Sequence, residues 1–301
     1  MNMNIFLSGS GSFIGREVLR VCKDKGIKVA GVDLANTGQE GCSVADIRSP
    51  DIAEKIPANV DAVVHLAALS RDPDCRNRAY PCFDINVMGT LNLMEAAKAK
   101  GARQFIFASS EWVYDSFQEG VVKKEDDVID IAKLTSEYAL SKLVSEANLR
   151  QKYQHGFCPV TILRFGIVYG PRKDNWAAVE SLFNSVYTQD EITVGALKTA
   201  RRFIHVSDIA SGVMAAVGLP GFEIINLQGA KLVSLGEVIE TSKKLLNRNP
   251  KVIERTPAQA NVRLVSDEKA KRLLRWRPEI SLVAGLKSVA DFLGIKTVEI
   301  V

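Results

Sequence analysis

A chain of 301 residues, 47% hydrophobic and 25% charged, can bury a large core in one large or two modest globular domains. Its formal charge of +4 is small for that length and argues for neither nucleic acid nor a membrane surface. Five cysteines without a CxxC pair suggest neither a disulfide framework nor a zinc site, and with only His65, His155 and His205 beside them no metal is expected.

The opening "MNMNIFLSGSG" passes almost directly into a strand-like run, without the basic and long apolar regions of a secretory signal. No apolar stretch approaches the ~18 residues of a membrane span. The expected setting is reducing and cytoplasmic. In chain order, strands are predicted at 4–8, 28–33, 61–67, 104–109 and 160–165, and helices at 13–25, 51–56, 79–100 and 132–153. Several strands are almost wholly apolar, as a parallel sheet covered on both faces requires. This alternation predicts an α/β fold with a doubly wound parallel Rossmann sheet.

Past Gly170-Pro171 the pattern changes. A helix over 175–188 leads to a short strand in "EITVG", and then "RRFIHVSDIASGVMAAV" and "EIINLQG" read as strand, helix and strand. Two later helices, "SLGEVIETSKKLL" and "SDEKAKRLLRW", each follow a Ser suited to N-capping. The expected division is a nucleotide-binding domain over 1–170, with a segment returning around 203–227, and a smaller mixed α+β substrate lobe over 171–301.

"LSGSGSFIGREVLR" follows the first strand and opens the first helix. Gly9, Gly11 and Gly15 permit a tight turn and close approach to a diphosphate, and the helix start offers unpaired amides. Asp33 ends the second strand about twenty residues on, where a carboxylate accepts both ribose hydroxyls and repels a 2′-phosphate. The cofactor expected from this pair is NAD. Further along, "SEYALSKLVSEANLR" places Tyr138 and Lys142 four residues apart on one helical face. Alone, that spacing favours a core tyrosine beside a solvated lysine over chemistry.

With these residues stand "VADIRSP", "VVHLAAL", "INVMGTLNLMEAA", "FASSEWVYD", "LRFGIVYGPR", "RRFIHVSDIA" and "LLRWRP". In that order they resemble the extended short-chain dehydrogenase/reductase family, in its NAD-dependent epimerase/dehydratase branch. The resemblance implies a catalytic set of Ser110, Tyr138 and Lys142. Tyr138 takes the proton of a substrate hydroxyl, Ser110 steadies the developing carbonyl, and Lys142 holds the nicotinamide ribose and lowers the phenol's pKa. Phe13 and Ile14 lie inside the family's GxxGxxG, whose middle glycine is Ser12 here. The resemblance also puts Asp46 and Ile47 beside the adenine, and Leu66, Ala67 and Ala68 under the diphosphate and ribose. Asn86 reads as structural, His65 as a satisfied core histidine, and Asp208 as a helix-opening residue.

On the substrate side, Arg201 matches an arginine that clamps a nucleotide-sugar diphosphate, or else is a solvated neighbour of Arg202. Ile167 stands where many such members carry Asn. Glu111 and Trp112 occupy two positions that dehydratases fill with carboxylates. An indole cannot move a proton at C5, and a lone Glu suits a hydrogen-bonded pocket wall, so no elimination is expected. The implied activity is therefore a sugar-nucleotide epimerase, most simply a 4-epimerase. A 4,6-dehydratase, a dehydrogenase and a non-catalytic NAD-binding regulator are the alternatives. The family also implies a homodimer paired through the helices at 79–100 and 132–153.

Overall fold

The computed structural model describes residues 3–114 and 117–300. Seven strands build the central sheet: β1 (Asn4–Ser8), β2 (Lys28–Asp33), β3 (Cys42–Val44), β4 (Ala62–His65), β5 (Phe105–Ser110), β6 (Val160–Phe165) and β7 (Phe222–Leu227). All pairings are parallel, in the order β7-β6-β5-β4-β1-β2-β3. The order in which successive strands are added reverses between β1 and β4, the switch point at which such sheets open a crevice. The doubly wound Rossmann sheet read from the sequence is the fold observed.

Side chains alternate between the two faces, as strand geometry demands. Ile5, Leu7, Val64 and Ile106 pack on one face against α1 (Phe13–Asp24) and the helix Val206–Ala215. Phe6, Val63, Phe105 and Phe107 pack on the other, against Leu93 and Met94 of the helix Gly89–Ala99 and Leu149 of the helix Glu137–Gln154. Phe6 is wholly buried, and truncating it to Ala costs about 3–5 kcal/mol, read as a fall in the denaturant midpoint.

Three differences from the sequence reading bear on the site. The helix expected from 132 begins at Glu137, because the Ser136 side chain accepts the Ala139 amide and residues 131–133 form a separate 3₁₀ turn. The helix expected over 79–100 is α-helical at Ala79–Phe83 and Gly89–Ala99, with a π turn, Asp84–Met88, between. The edge strand β3 went unread, being three residues long and half exposed.

After β6 the chain forms the helices Ala178–Thr188, Leu235–Leu246 and Leu282–Leu293, which bury Val179, Phe183, Val238, Leu286 and Val289 together. The last of these helices was not read individually. Ser234 caps its helix as expected, in a capping box with Glu237. Ser266 does not hold the cap position of the helix Glu268–Leu274; that residue is Asp267, whose carboxylate instead takes Arg202 at 2.8 Å. Among the described residues no helix is long and apolar enough to cross a membrane.

Candidate active site

A cleft of about 1150 Å³ opens above the β1–β4 switch point. Its floor is the glycine loop. Gly9 has φ +76°, and a Cβ there would lie 2.7 Å from the Ala67 amide nitrogen. A Cβ on Gly15 would lie 2.1 Å from the Gly9 carbonyl oxygen, so the helix start presses directly on the turn. A Cβ on Gly11 would meet the Thr37 methyl and the Asp33 carboxylate. Ser12, which departs from the glycine pattern, is the N-cap of α1: at φ −66° its Oγ accepts the Gly15 amide at 3.0 Å. No glycine is needed where a cap serves. Among the described residues, the Phe13 and Ile14 amides remain as the unpaired donors of that first turn.

Asp33 stands at the end of β2 and accepts the Gly11 amide at 2.9 Å, which fixes its carboxylate at the rim of the loop. Asp46 and Ile47 line the same end of the cleft. Arg48 pairs with Asp46 at 2.6 Å and holds its carboxyl below the usual carboxylate range. Leu66, Ala67 and Ala68 leave β4 along the cleft wall. These residues fit an adenosine diphosphate group: a backbone cradle that side chains would fill, unpaired amides at a helix start, and a carboxylate held at the rim of the loop.

Asn86, on the π turn, holds the next residue of that wall by both backbone atoms. Its Oδ1 accepts the Leu69 amide at 2.8 Å, and its Nδ2 donates to the Leu69 carbonyl and to Ser141 Oγ, each at 3.0 Å. Its role here is structural. His65 is a satisfied core residue too, at 2.7 Å from Ser8 and 2.9 Å from Thr90. Asp208, in the first turn of its helix, accepts the Glu279 and Ile280 amides and so ties down a distant loop.

At the opposite end Ser110, Tyr138 and Lys142 all line the cleft. Ser110 closes β5, while Tyr138 and Lys142 lie one turn apart on the helix that Ser136 caps. Burial pushes the Tyr138 phenol up to about 12, opposed by a hydrogen bond with Ser110. Within the protein alone desolvation is the largest influence on this phenol. Burial brings Lys142 down to about 8. Its Nζ donates to the Ala108 carbonyl at 2.8 Å and sits 5.9 Å from the Tyr138 ring centre. The set, with Tyr138 and Lys142 both buried, can hold and move one proton at the phenol oxygen.

Trp112 and Ile167 also line the cleft. Glu111 and Arg201 are not among its lining residues: Glu111 is buried and Arg201 is half-buried beside Arg263. Glu111 is 2% exposed, and burial raises its pKa. Its Oε2 lies 3.1 Å from the Gln228 amide nitrogen, oriented as a donor. Its Oε1 has no partner among the described residues. Arg201 is not the solvated arginine of the alternative reading. Burial and the Arg263 charge bring it down to about 10, and it donates to the Ala200 carbonyl at 2.8 Å.

Arg263 was missed. The bridge between Ala200 and Val262 is parallel, so Arg201 and Arg263 follow it side by side. The Arg263 guanidinium lies 5.2 Å from the Trp112 ring centre, and its Nε has no partner among the described residues. Arg71, Arg172 and Asn175 also line the cleft unforeseen. Each depends on contacts between distant segments, which no local pattern carries.

The chain matches the NAD dependent epimerase/dehydratase family over residues 5–227. It is 31% identical to a UDP-glucuronate 4-epimerase of Thermodesulfobacterium geofontis over 239 residues, 78% of this chain and 72% of the relative. It is 29% identical to a putative UDP-glucose 4-epimerase of Methanocaldococcus jannaschii over 308 residues, covering 96% and 98%. A UDP-glucose 4-epimerase of Thermus thermophilus, solved in complex with NAD, superposes with a TM-score of 0.83 at 25% identity, covering 97% of this chain and 99% of that one. With its glycine cradle and its Ser-Tyr-Lys set in one cleft, this chain belongs to the NAD-dependent epimerase/dehydratase family of enzymes.

Proposed function

We propose that the enzyme interconverts 4-epimers of a nucleotide sugar by transient oxidation at C4, with NAD as cofactor. The observation that carries this reading is the meeting of Ser110, Tyr138 and Lys142 at one end of the cleft whose other end is the glycine loop. When bound, NAD supplies a hydride acceptor and donor at the sugar carbon and a positive ring beside the phenol, which favours phenolate. Gly9, Gly11 and Gly15 let the backbone approach its diphosphate, the Phe13 and Ile14 amides face that charge, and Asp33 takes a ribose. Tyr138 Oη removes the O4 proton and later returns it. Ser110 Oγ hydrogen-bonds O4 and steadies the carbonyl, and Lys142 orients the ribose.

Arg201 and Arg263 are proposed to hold the sugar-nucleotide diphosphate. Two half-buried guanidiniums side by side repel each other, and an anion between them relieves that repulsion. Trp112 and Ile167 line the sugar end. The experiment is incubation of purified protein with a panel of nucleotide sugars, followed by mass analysis. The expected product has unchanged mass. A product lighter by one water, formed at a rate dependent on Glu111, would make the enzyme a dehydratase; accumulation of NADH would make it a dehydrogenase.

Asp33 carries a second expectation. NAD binds more tightly than NADP by at least about tenfold, because a carboxylate at that place repels a 2′-phosphate. Equal or tighter NADPH binding in a fluorescence titration contradicts it. The division of the chain near residue 170 is part of the same proposal, supported by β7, which returns to the main sheet beside β6. A homodimer is proposed too. Tyr80 is 83% exposed and Met88 57% exposed on the helical segment that would pair. A monomeric mass by light scattering at micromolar concentration refutes it. A reducing, cytoplasmic setting fits five cysteines that are all free thiols.

A further inference from the structure

The segment from Pro171 to Ala177 lies along the cleft for its whole length. One buried carboxylate gathers both its ends. Glu180, 1% exposed, accepts the Gly170 amide at 3.2 Å and the Arg172 Nε at 2.7 Å on one oxygen, and the Ala177 amide at 3.1 Å on the other. Trp176 Nε1 donates to the Arg172 carbonyl at 2.9 Å, which stiffens the loop from within. The segment is thus a closed ring of chain rather than a loose connection.

The ring is tied to the nucleotide-binding half on two sides. The Arg172 guanidinium lies 4.6 Å from the ring centre of Phe13, in the first turn after the glycine loop. Arg71, five residues past the Leu66 that opens the wall after β4, donates to Asn175 Oδ1 across the cleft. Asp74 holds the Arg71 fork by two bonds of 2.7 and 2.6 Å, so the guanidinium is already aimed. Asn175 sits at φ +56°, a left-handed conformation that Asn tolerates, and this turns its amide toward Arg71. The two ties bracket the space between the glycine loop and the wall at 66–71, which is the space the NAD reading gives to the dinucleotide.

We propose that the Pro171–Ala177 ring, latched by Arg71 to Asn175, retains the dinucleotide in the cleft between turnovers. The inference rests on the NAD reading and extends it. An exposed ion pair adds little to fold stability, and Arg71 is 44% exposed. Spanning the mouth of a site, the same contact acts on release instead: the dinucleotide leaves only after the latch opens. An enzyme that returns its hydride to the carbon it came from has use for such retention. One that exports NADH does not.

The test is cofactor exchange. Protein loaded with radiolabelled NAD is diluted into excess unlabelled NAD, and retained label is followed for the wild type, Arg71→Ala, Asn175→Ala and the double variant. Each single variant is expected to release label about threefold to tenfold faster, the range that the net worth of a typical intramolecular hydrogen bond spans. The double variant is expected to release no faster than the faster single, because both remove the same contact. Wild-type release rates in both singles overturn the latch. So does a double variant whose effect is the product of the two singles. Melting without NAD stays at the wild-type midpoint; a fall that parallels the rate change assigns the effect to the fold and overturns the latch as well. If none of the four proteins binds label, the NAD reading itself fails.

Discussion

Tyr138→Phe is expected to lower turnover by about 10²–10⁴-fold while NAD binding stays within a few-fold of wild type. The ring keeps its place among Cys75, Cys82, Leu69 and Trp112, so packing is preserved. What is lost is the one oxygen that titrates at the substrate hydroxyl. Burial raises this phenol in the protein alone, while bound NAD and Lys142 favour phenolate, so the pH dependence of the wild-type rate is expected to be carried by Tyr138 and to be absent from the variant's residual rate. A variant that retains most of its activity would mean that another base does the work.

Lys142→Met separates function from stability. Turnover is expected to fall by at least about 10²-fold, and NAD affinity to fall with it, since one ammonium serves both the phenol and the ribose. The fold is expected to be no weaker at pH 7. Bringing this ammonium from its ordinary 10.5 down to about 8 costs the folded state about 3 kcal/mol at neutral pH. Removing it relieves that cost and leaves the Ala108 carbonyl without its donor, a loss of about 1–3 kcal/mol. The sign with pH follows from the depressed value. The folded state binds the proton less tightly than the unfolded chain, so the stability linked to Lys142 is fully present above 10.5 and is lost as pH falls through about 8. Wild-type stability should rise across that window, and the Met variant should lack the rise. Chemical denaturation at pH 7 and pH 10 measures both.

Much of the site was legible because it is local. The glycine loop, Asp33 and the Tyr138–Lys142 pair each need one strand, one turn or one helix, and spacing reports such units. Ser12 shows where a family pattern misleads: its departure from glycine changes nothing, since that position has an ordinary φ and needs a capping hydroxyl. The start of the catalytic helix was read five residues early because Ala132 and Leu134 continue the apolar pattern, and only the Ser136 cap marks the true start. Arg263 and the Arg71–Asn175 contact were illegible for a different reason. Arg263 reaches Arg201 through a bridge between segments about sixty residues apart, and Arg71 meets Asn175 across 104. Nothing in a window of sequence encodes such pairings. The depth at which Tyr138 is buried is likewise absent from a four-residue spacing.

The π turn at Asp84–Met88 gives one rod two orientations. A π turn holds one residue more than an α turn, and at 3.6 residues per turn that residue is worth about 100° of rotation. The two flanking segments are continuous in space and out of phase with each other. Before the turn, Cys82 packs beside Tyr138. After it, Gly89 faces Ile47 so closely that a Cβ would lie 2.7 Å from the Ile47 Cδ1. On the turn itself, Asn86 is swung out to grip Leu69 and Ser141. A strict α-helix has one phase and cannot present all three. The extra residue is what this sequence needs to serve all three: deleting one residue between 84 and 88 closes the turn to α geometry, which keeps the phase of the downstream segment but removes the bulge from which Asn86 grips Leu69 and Ser141.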